Sequence, residues 1–176
     1  MLAETEIPVA VVAAVIAGAI SLITVATNTL VGTVREQRNR RRDTYASAFS
    51  AVTAYKEFPY VVRRRRGDTP KVAADERVRI SEDLRKVQEQ LAYYGAWMKT
   101  ESPAVAAAYD TLVADTRRIA GGQIHDAWMT APMSTDDGMN MPDLGLAALK
   151  PSEDAYLAAV AHHLSWSRGK SPRRTT

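Results

Sequence analysis

Cysteine is absent from the 176-residue chain. Without thiols the protein can form no disulfide, no cysteine nucleophile and no cysteine-ligated zinc or iron–sulfur centre. Histidine is scarce as well, and two of the three histidines, His162 and His163, are adjacent. Neighbouring residues on a helix point in different directions, so this pair cannot easily share a metal ion. The composition excludes thiol chemistry and predicts no metal site.

The familiar signatures of nucleotide binding and catalysis are missing too. The chain has no P-loop, no G-x-G-x-x-G after a strand, no G-x-S-x-G and no H-E-x-x-H. It also lacks the sustained alternation of β-branched and aromatic residues that is typical of strands. We therefore expect an all-α protein that is not an enzyme, with no catalytic residue and no cofactor.

Charge is absent from residues 7–32. A bilayer core of about 30 Å needs roughly 20 mostly apolar residues in a helix, so this stretch predicts a transmembrane helix. A cleaved signal peptide fits less well, because such peptides begin with basic residues and have an apolar region of only about 7–15 residues. Here the N-terminus carries Glu4 and Glu6. A buried helix in a soluble core is the other alternative.

Basic residues flank this stretch on one side only. Residues 1–6 contain no lysine or arginine, whereas residues 33–42 contain five arginines: Arg35, Arg38, Arg40, Arg41 and Arg42. Because basic residues near a membrane helix stay on the cytoplasmic side, we expect a single-pass protein of the inner membrane. Its N-terminus would lie outside and its C-terminus in the cytoplasm, with these arginines near anionic lipid headgroups.

Within the apolar stretch, Ala14 and Gly18 lie four residues apart. Small residues at this spacing let membrane helices approach closely, so the pair is a candidate association face. The alternative is plain contact with lipid.

After residue 42 the apolar residues recur at spacings of three and four, which predicts a series of helices. The first should run from about residue 43 to Phe58, and Pro59 should end or kink it. The second, residues 71–99, has a heptad-like seam that would suit a coiled coil or an antiparallel bundle. Its members are Ile80, Leu84, Val87, Leu91, Tyr94 and Met98.

Helix starts and stops are also marked. Thr69 before Pro70 and Ser102 before Pro103 are typical N-caps followed by a proline in the first turn. We expect the adjacent glycines 121 and 122 to stop or bend the third helix, after which "QIHDAWM" adds two more turns.

The pattern predicts a membrane helix followed by an antiparallel bundle of three to four helices. In chain order, the expected parts are a short extracytoplasmic N-terminus (1–6), the transmembrane helix (7–32), a basic juxtamembrane segment (33–42), the bundle (43–129), a mobile loop (130–150), a C-terminal helix (151–167) and a basic disordered tail (168–176). If consecutive helices alternate in direction, the second arginine run lies at the same end of the bundle as residues 121–129.

That second run is Arg63, Arg64, Arg65 and Arg66. Its charge could contact anionic lipid or an acidic protein, or it could simply be a solvated loop. Nucleic acid is an unlikely ligand, because neither interleaved aromatic residues nor a recognisable reading helix accompanies the run.

The expected function is interaction: a bacterial or phage membrane protein whose cytoplasmic bundle anchors or scaffolds a protein partner, with self-association as an option. The alternative is a holin- or toxin-like effector that permeabilises or depolarises the membrane through oligomers of the transmembrane helix. An enzyme whose site comes from scattered residues is a third, weaker hypothesis.

Overall fold

The computed structural model describes the backbone of residues 9–132 and 143–169, and the side chains of residues 33, 35–132 and 143–165. All regular structure in these ranges is helical, which confirms the all-α prediction. The chain divides into two compact units, Met1–Asp43 and Thr44–Thr176.

The first unit contains the N-terminal part of helix α1, which spans Val9–Arg63. The predicted transmembrane segment, residues 7–32, has a helical backbone from Val9 onward, and its side chains lie outside the described residues. Near the end of the unit, Arg40 donates to Glu36 one turn earlier, in an exposed ion pair. Among the residues that the structure describes, no helix has the length and apolar character needed to cross a membrane.

The second unit is a four-helix bundle. It combines the last part of α1 with three further helices: α2 (Pro70–Glu101), α3 (Pro103–Met129) and α4 (Lys150–Gly169). The helical-bundle prediction is therefore confirmed.

Contacts along the helices show that neighbours in sequence are antiparallel. Near the start of this part of α1, Tyr45 packs edge-on against Trp97, close to the end of α2. The same tyrosine lies near His163, late in α4, whereas Lys56, further along α1, pairs with Glu153 at the start of α4. The helices therefore run alternately up and down the bundle.

Aromatic side chains fill the middle of the bundle. The Tyr156 ring is stacked against Phe49, with the two planes 2° apart, and it lies 5.6 Å from the ring of Tyr109. Its hydroxyl donates to the Tyr45 carbonyl at 3.0 Å. Burial raises the pKa of Tyr109 and of Tyr156, so both hydroxyls stay protonated. These contacts join α1, α3 and α4 in one core.

The heptad-like seam of α2 faces this core. Ile80, Leu91 and Met98 are buried, and the three remaining members are partly buried against the same cluster. The seam thus serves packing within the chain.

Both predicted N-caps are present. The Thr69 hydroxyl accepts a hydrogen bond from the Val72 N–H, and the Ser102 hydroxyl accepts one from the Val105 N–H. Each of these bonds satisfies an N–H that has no partner inside its helix. A single residue, Ser102, separates α2 from α3, and this short connection turns the chain sharply.

Of the two effects expected of Pro59, to end or to kink the first helix, the end is wrong. Helix α1 continues to Arg63, four residues further on. Proline removes one backbone hydrogen bond and costs a helix interior about 3 kcal/mol. Phe58 and Val62, on either side, are both buried in the core. Burying such side chains contributes about 1.5–3 kcal/mol each, enough to keep the last turn helical.

Of the two effects expected of Gly121 and Gly122, a stop or a bend in the third helix, the stop is wrong, and the two further turns expected beyond them are present. Helix α3 passes through Gly121 and Gly122 and ends at Met129. A glycine inside a helix costs about 0.5–1 kcal/mol relative to alanine. Beyond the glycines, Ile124 and Ala127 are buried, and this packing outweighs the cost.

Part of the predicted 130–150 loop is helical. Residues 146–149 form a 3₁₀ turn whose two leucines, Leu146 and Leu149, are buried, and α4 starts directly after it. Residues 133–142 of that loop, and residues 170–176 of the predicted basic tail, lie outside the described residues.

Candidate functional site

One end of the bundle, here called the far end, is formed by the α1–α2 turn (residues 64–69) and by residues 127–132, which comprise the C-terminal end of α3 and the three residues after it. The second arginine run begins at this turn. Helix alternation predicts that the run meets the end of α3, and the contacts of Arg65 with that segment confirm this arrangement.

The guanidinium of Arg65 ties the two segments together. One of its terminal nitrogens donates to the carbonyls of Val62 and Ala127, each at 2.9 Å, and the other donates to the carbonyl of Thr130. Its flat face lies 5.1 Å from the centre of the Trp128 ring. Partial burial lowers the pKa of Arg65, but a guanidinium remains charged at any ordinary pH.

This arrangement follows from the chemistry of helix ends. The last carbonyls of a helix have no N–H partner within it, and they carry the negative end of the helix dipole. Arg65 supplies a positive charge and several donors to the C-terminal ends of both α1 and α3. It is therefore a structural residue, and it is not available to a partner.

The other three arginines of the run differ in exposure. Arg63 is half-buried, whereas Arg64 and Arg66 are exposed. The guanidinium of Arg64 lies 6.0 Å from the centre of the Tyr60 ring, and that of Arg66 is 3.6 Å from the Asp68 carboxylate. Exposed interactions of this kind contribute at most about 1 kcal/mol to the stability of the fold. Both side chains can therefore give up these interactions and contact a partner instead.

Gly67 allows the two segments of the far end to approach closely. A Cβ atom added at this position would lie 2.6 Å from Cγ of Pro132. Real Cβ atoms do not approach another carbon so closely, and a proline ring has little freedom to turn away. The close fit accounts for glycine at the turn that follows the arginines.

We expect Gly67→Ala to lower the free energy of unfolding by about 1–3 kcal/mol, the usual range for overpacking. Pro132→Ala alone should lower the free energy of unfolding by less. In the double variant it should remove most of the loss caused by Gly67→Ala. The measurement is a double-mutant cycle by urea unfolding. Purely additive effects of the two substitutions would contradict the contact.

The first arginine group lies in the other unit. On α1, Arg35, Arg40 and Arg42 are exposed, while Arg38 and Arg41 are half-buried. The proposed association pair, Ala14 and Gly18, belongs to the helical backbone of α1, but both side chains lie outside the described residues.

Chemistry-bearing side chains are dispersed over the bundle. Among the residues that the structure describes, no group of three or more histidine, aspartate or glutamate side chains could hold a metal ion. His163 Nε2 lies 3.6 Å from Glu101 Oε1, and both side chains are largely buried. This pair links α4 to the end of α2.

An exposed apolar side chain completes the far end. Met129, the last residue of α3, is 78% exposed and directly follows Trp128, which stacks on Arg65. Methionine is flexible and polarisable, which suits it to adaptable binding surfaces. The exposed side chains of Arg64, Arg66 and Met129 form the candidate contact surface, called here the far-end surface.

Sequence reasoning missed two parts of this site. The aromatic partner of Arg65, Trp128, and the close approach of Gly67 to Pro132 could not be read from spacing alone. The only available signal was the predicted direction of the helices, which placed the two segments at one end. Comparison of the chain with known protein families, with curated proteins and with solved structures found no match.

Proposed function

We propose that the chain is a single-pass membrane protein without catalytic activity whose bundle holds a protein partner at the inner face of the membrane. One observation carries the proposal. The uncharged stretch of residues 7–32 precedes the core-forming residues from Tyr45 to Val62 in the sequence, with five arginines between them. A bundle that follows such a stretch in the same chain is suited to holding another molecule at the membrane surface.

The far-end surface is the proposed contact with the partner. Arginine and methionine are enriched at protein interfaces, where an apolar centre is commonly surrounded by polar groups. Two exposed guanidinium groups and an exposed methionine at the same end of the bundle favour a partner that presents carboxylates and an apolar side chain. Electrostatic complementarity of this kind contributes mainly to specificity and to the rate of association.

The partner contact can be tested by crosslinking in membranes. We expect replacement of both Arg64 and Arg66 by glutamine to reduce the yield of a specific crosslinked adduct several-fold, while the chain stays folded and in the membrane. The matched control replaces Arg77 and Arg85, two exposed arginines of α2, in the same way. Equal yields from both double variants would contradict a contact at the far-end surface.

The alternative function is an effector that depolarises the membrane through oligomers of residues 7–32. A dye that reports membrane potential separates the two functions. We expect overexpression of the full chain to leave the potential unchanged. A rapid depolarisation that disappears when Gly18 is replaced by leucine would instead support the effector.

A further inference from the structure

A groove of about 350 Å³ runs between α2 and α3. Its floor is formed by buried parts of Leu91, Tyr109 and Val113. The α2 wall consists of small residues, Ala92, Gly95 and Ala96. The groove is therefore apolar at its base and wide enough for side chains from outside the bundle.

Gly95 is not required by the packing of its own bundle. A Cβ atom added there would meet the Tyr109 ring at 3.7 Å, which is an ordinary van der Waals contact. The residue lies inside a regular helix, where alanine is the more stabilising choice. The glycine keeps the groove open, and this has a use only if another element enters it.

The rim of the groove carries charged side chains that indicate which element binds in it. Asp110 and Arg117 both lie on the α3 side and are exposed. They are seven residues apart, so they occupy the same side of the helix about 10 Å from each other. In the free bundle, Oδ2 of Asp110 lies 3.5 Å from Nζ of Lys99. Because this pair is exposed, it contributes little to the stability of the fold.

This charge pattern is self-complementary. If two copies of α3 pair in antiparallel fashion about a twofold axis between Val113 and Ala114, Asp110 of each copy faces Arg117 of the other. A twofold axis produces both pairs at once, as in any isologous interface. A parallel pairing would instead place like charges opposite each other.

We propose that the groove between α2 and α3 is a self-association surface that receives α3 of a second copy in antiparallel orientation. The small residues of the groove wall let the two bundles approach closely, and the reciprocal Asp110–Arg117 pairs set the register. This inference is independent of the proposed function, because it uses only residues of the bundle and needs neither a membrane nor a different partner.

The absence of cysteine makes the proposal directly testable with single-cysteine variants of the full chain in mild detergent. Ala114 lies next to the proposed axis, so we expect A114C to form a disulfide-linked dimer on mild oxidation. The matched control is A107C, at another exposed alanine of α3, whose two copies would be about 20 Å apart along the helix. It should remain monomeric.

Every other outcome of this experiment overturns the proposal. If neither variant crosslinks, the groove does not bind a second copy. If both crosslink, or only A107C does, the register about Val113 and Ala114 is wrong. The wild-type chain, which cannot form a disulfide, gives the background in each case.

A charge exchange tests the register by a second route. Asp110→Arg converts both reciprocal pairs into like-charge contacts. We expect the association constant of the dimer to fall about tenfold, equivalent to about 1.4 kcal/mol. Arg117→Asp should act in the same way, and the combined variant should recover dimerisation because the pattern is again complementary. Single variants that dimerise normally, or a combined variant that stays monomeric with unchanged helicity, would overturn the assignment.

Discussion

Replacing Tyr156 with alanine lowers the free energy of unfolding of the bundle by about 3–5 kcal/mol, the usual cost of removing a buried aromatic ring. The side chain is fully buried and packs against Phe49 and Tyr109, so the cavity would open between three helices. Its hydroxyl also bonds the backbone of α1 at Tyr45.

Two further variants separate the contribution of the Tyr156 ring from that of its hydroxyl group and provide a control at a neighbouring position. Tyr156→Phe keeps the ring and loses one hydrogen bond, so it should cost about 0.5–1.5 kcal/mol. Leu157→Ala changes a neighbouring side chain that is 47% exposed, and it should stay within about 0.5 kcal/mol of the wild type. Urea unfolding followed by far-UV circular dichroism measures all three. A loss below about 1 kcal/mol for the alanine variant would place Tyr156 outside the core.

Arg65→Gln should lower the free energy of unfolding by about 2–3 kcal/mol. Hydrogen bonds to charged groups contribute about 1.5–3 kcal/mol each, and the partial exposure of this side chain reduces the sum. The substitution removes the charge and leaves the carbonyls of Ala127 and Thr130 without their shared donor. Arg65→Lys keeps the charge but not the fork of donors, so it should recover only part of the loss.

Arg64→Gln is the matched control, because it removes the same group from the adjacent, exposed position. We expect its stability to change by less than about 0.5 kcal/mol. Similar losses at both positions would show that Arg65 does not join the two helix ends. Replacing all four arginines would combine a loss of stability with a loss of binding. For this reason the crosslinking variant changes Arg64 and Arg66 and keeps Arg65.

Much of the fold could be predicted from local patterns. The three- and four-residue spacing of apolar side chains marks the helices, and Thr69 and Ser102 mark two of their starts. The predicted helix end at Pro59 is wrong because the rule for proline is local, whereas the burial of Val62 is a property of the assembled core. Helix α3 continues through Gly121 and Gly122 for the same reason, because Ile124 and Ala127 beyond them are buried in the core.

The candidate site was less predictable. Four consecutive arginines are chemically identical in the sequence, and only the position of each side chain on the turn decides its role. Arg65 reaches the end of α3 while Arg64 and Arg66 face solvent, and no spacing rule separates them. The groove beside Gly95 was missed because a glycine within a heptad-like helix carries no signal of its own.

The single-pass topology is tested by labelling single cysteines from outside intact cells. The chain contains no cysteine, so A3C and A147C each report a single position. We expect a membrane-impermeant maleimide to label A3C in intact cells and to label A147C only after the membrane has been permeabilised. Labelling of A147C in intact cells, or protection of both positions until lysis, would contradict this topology.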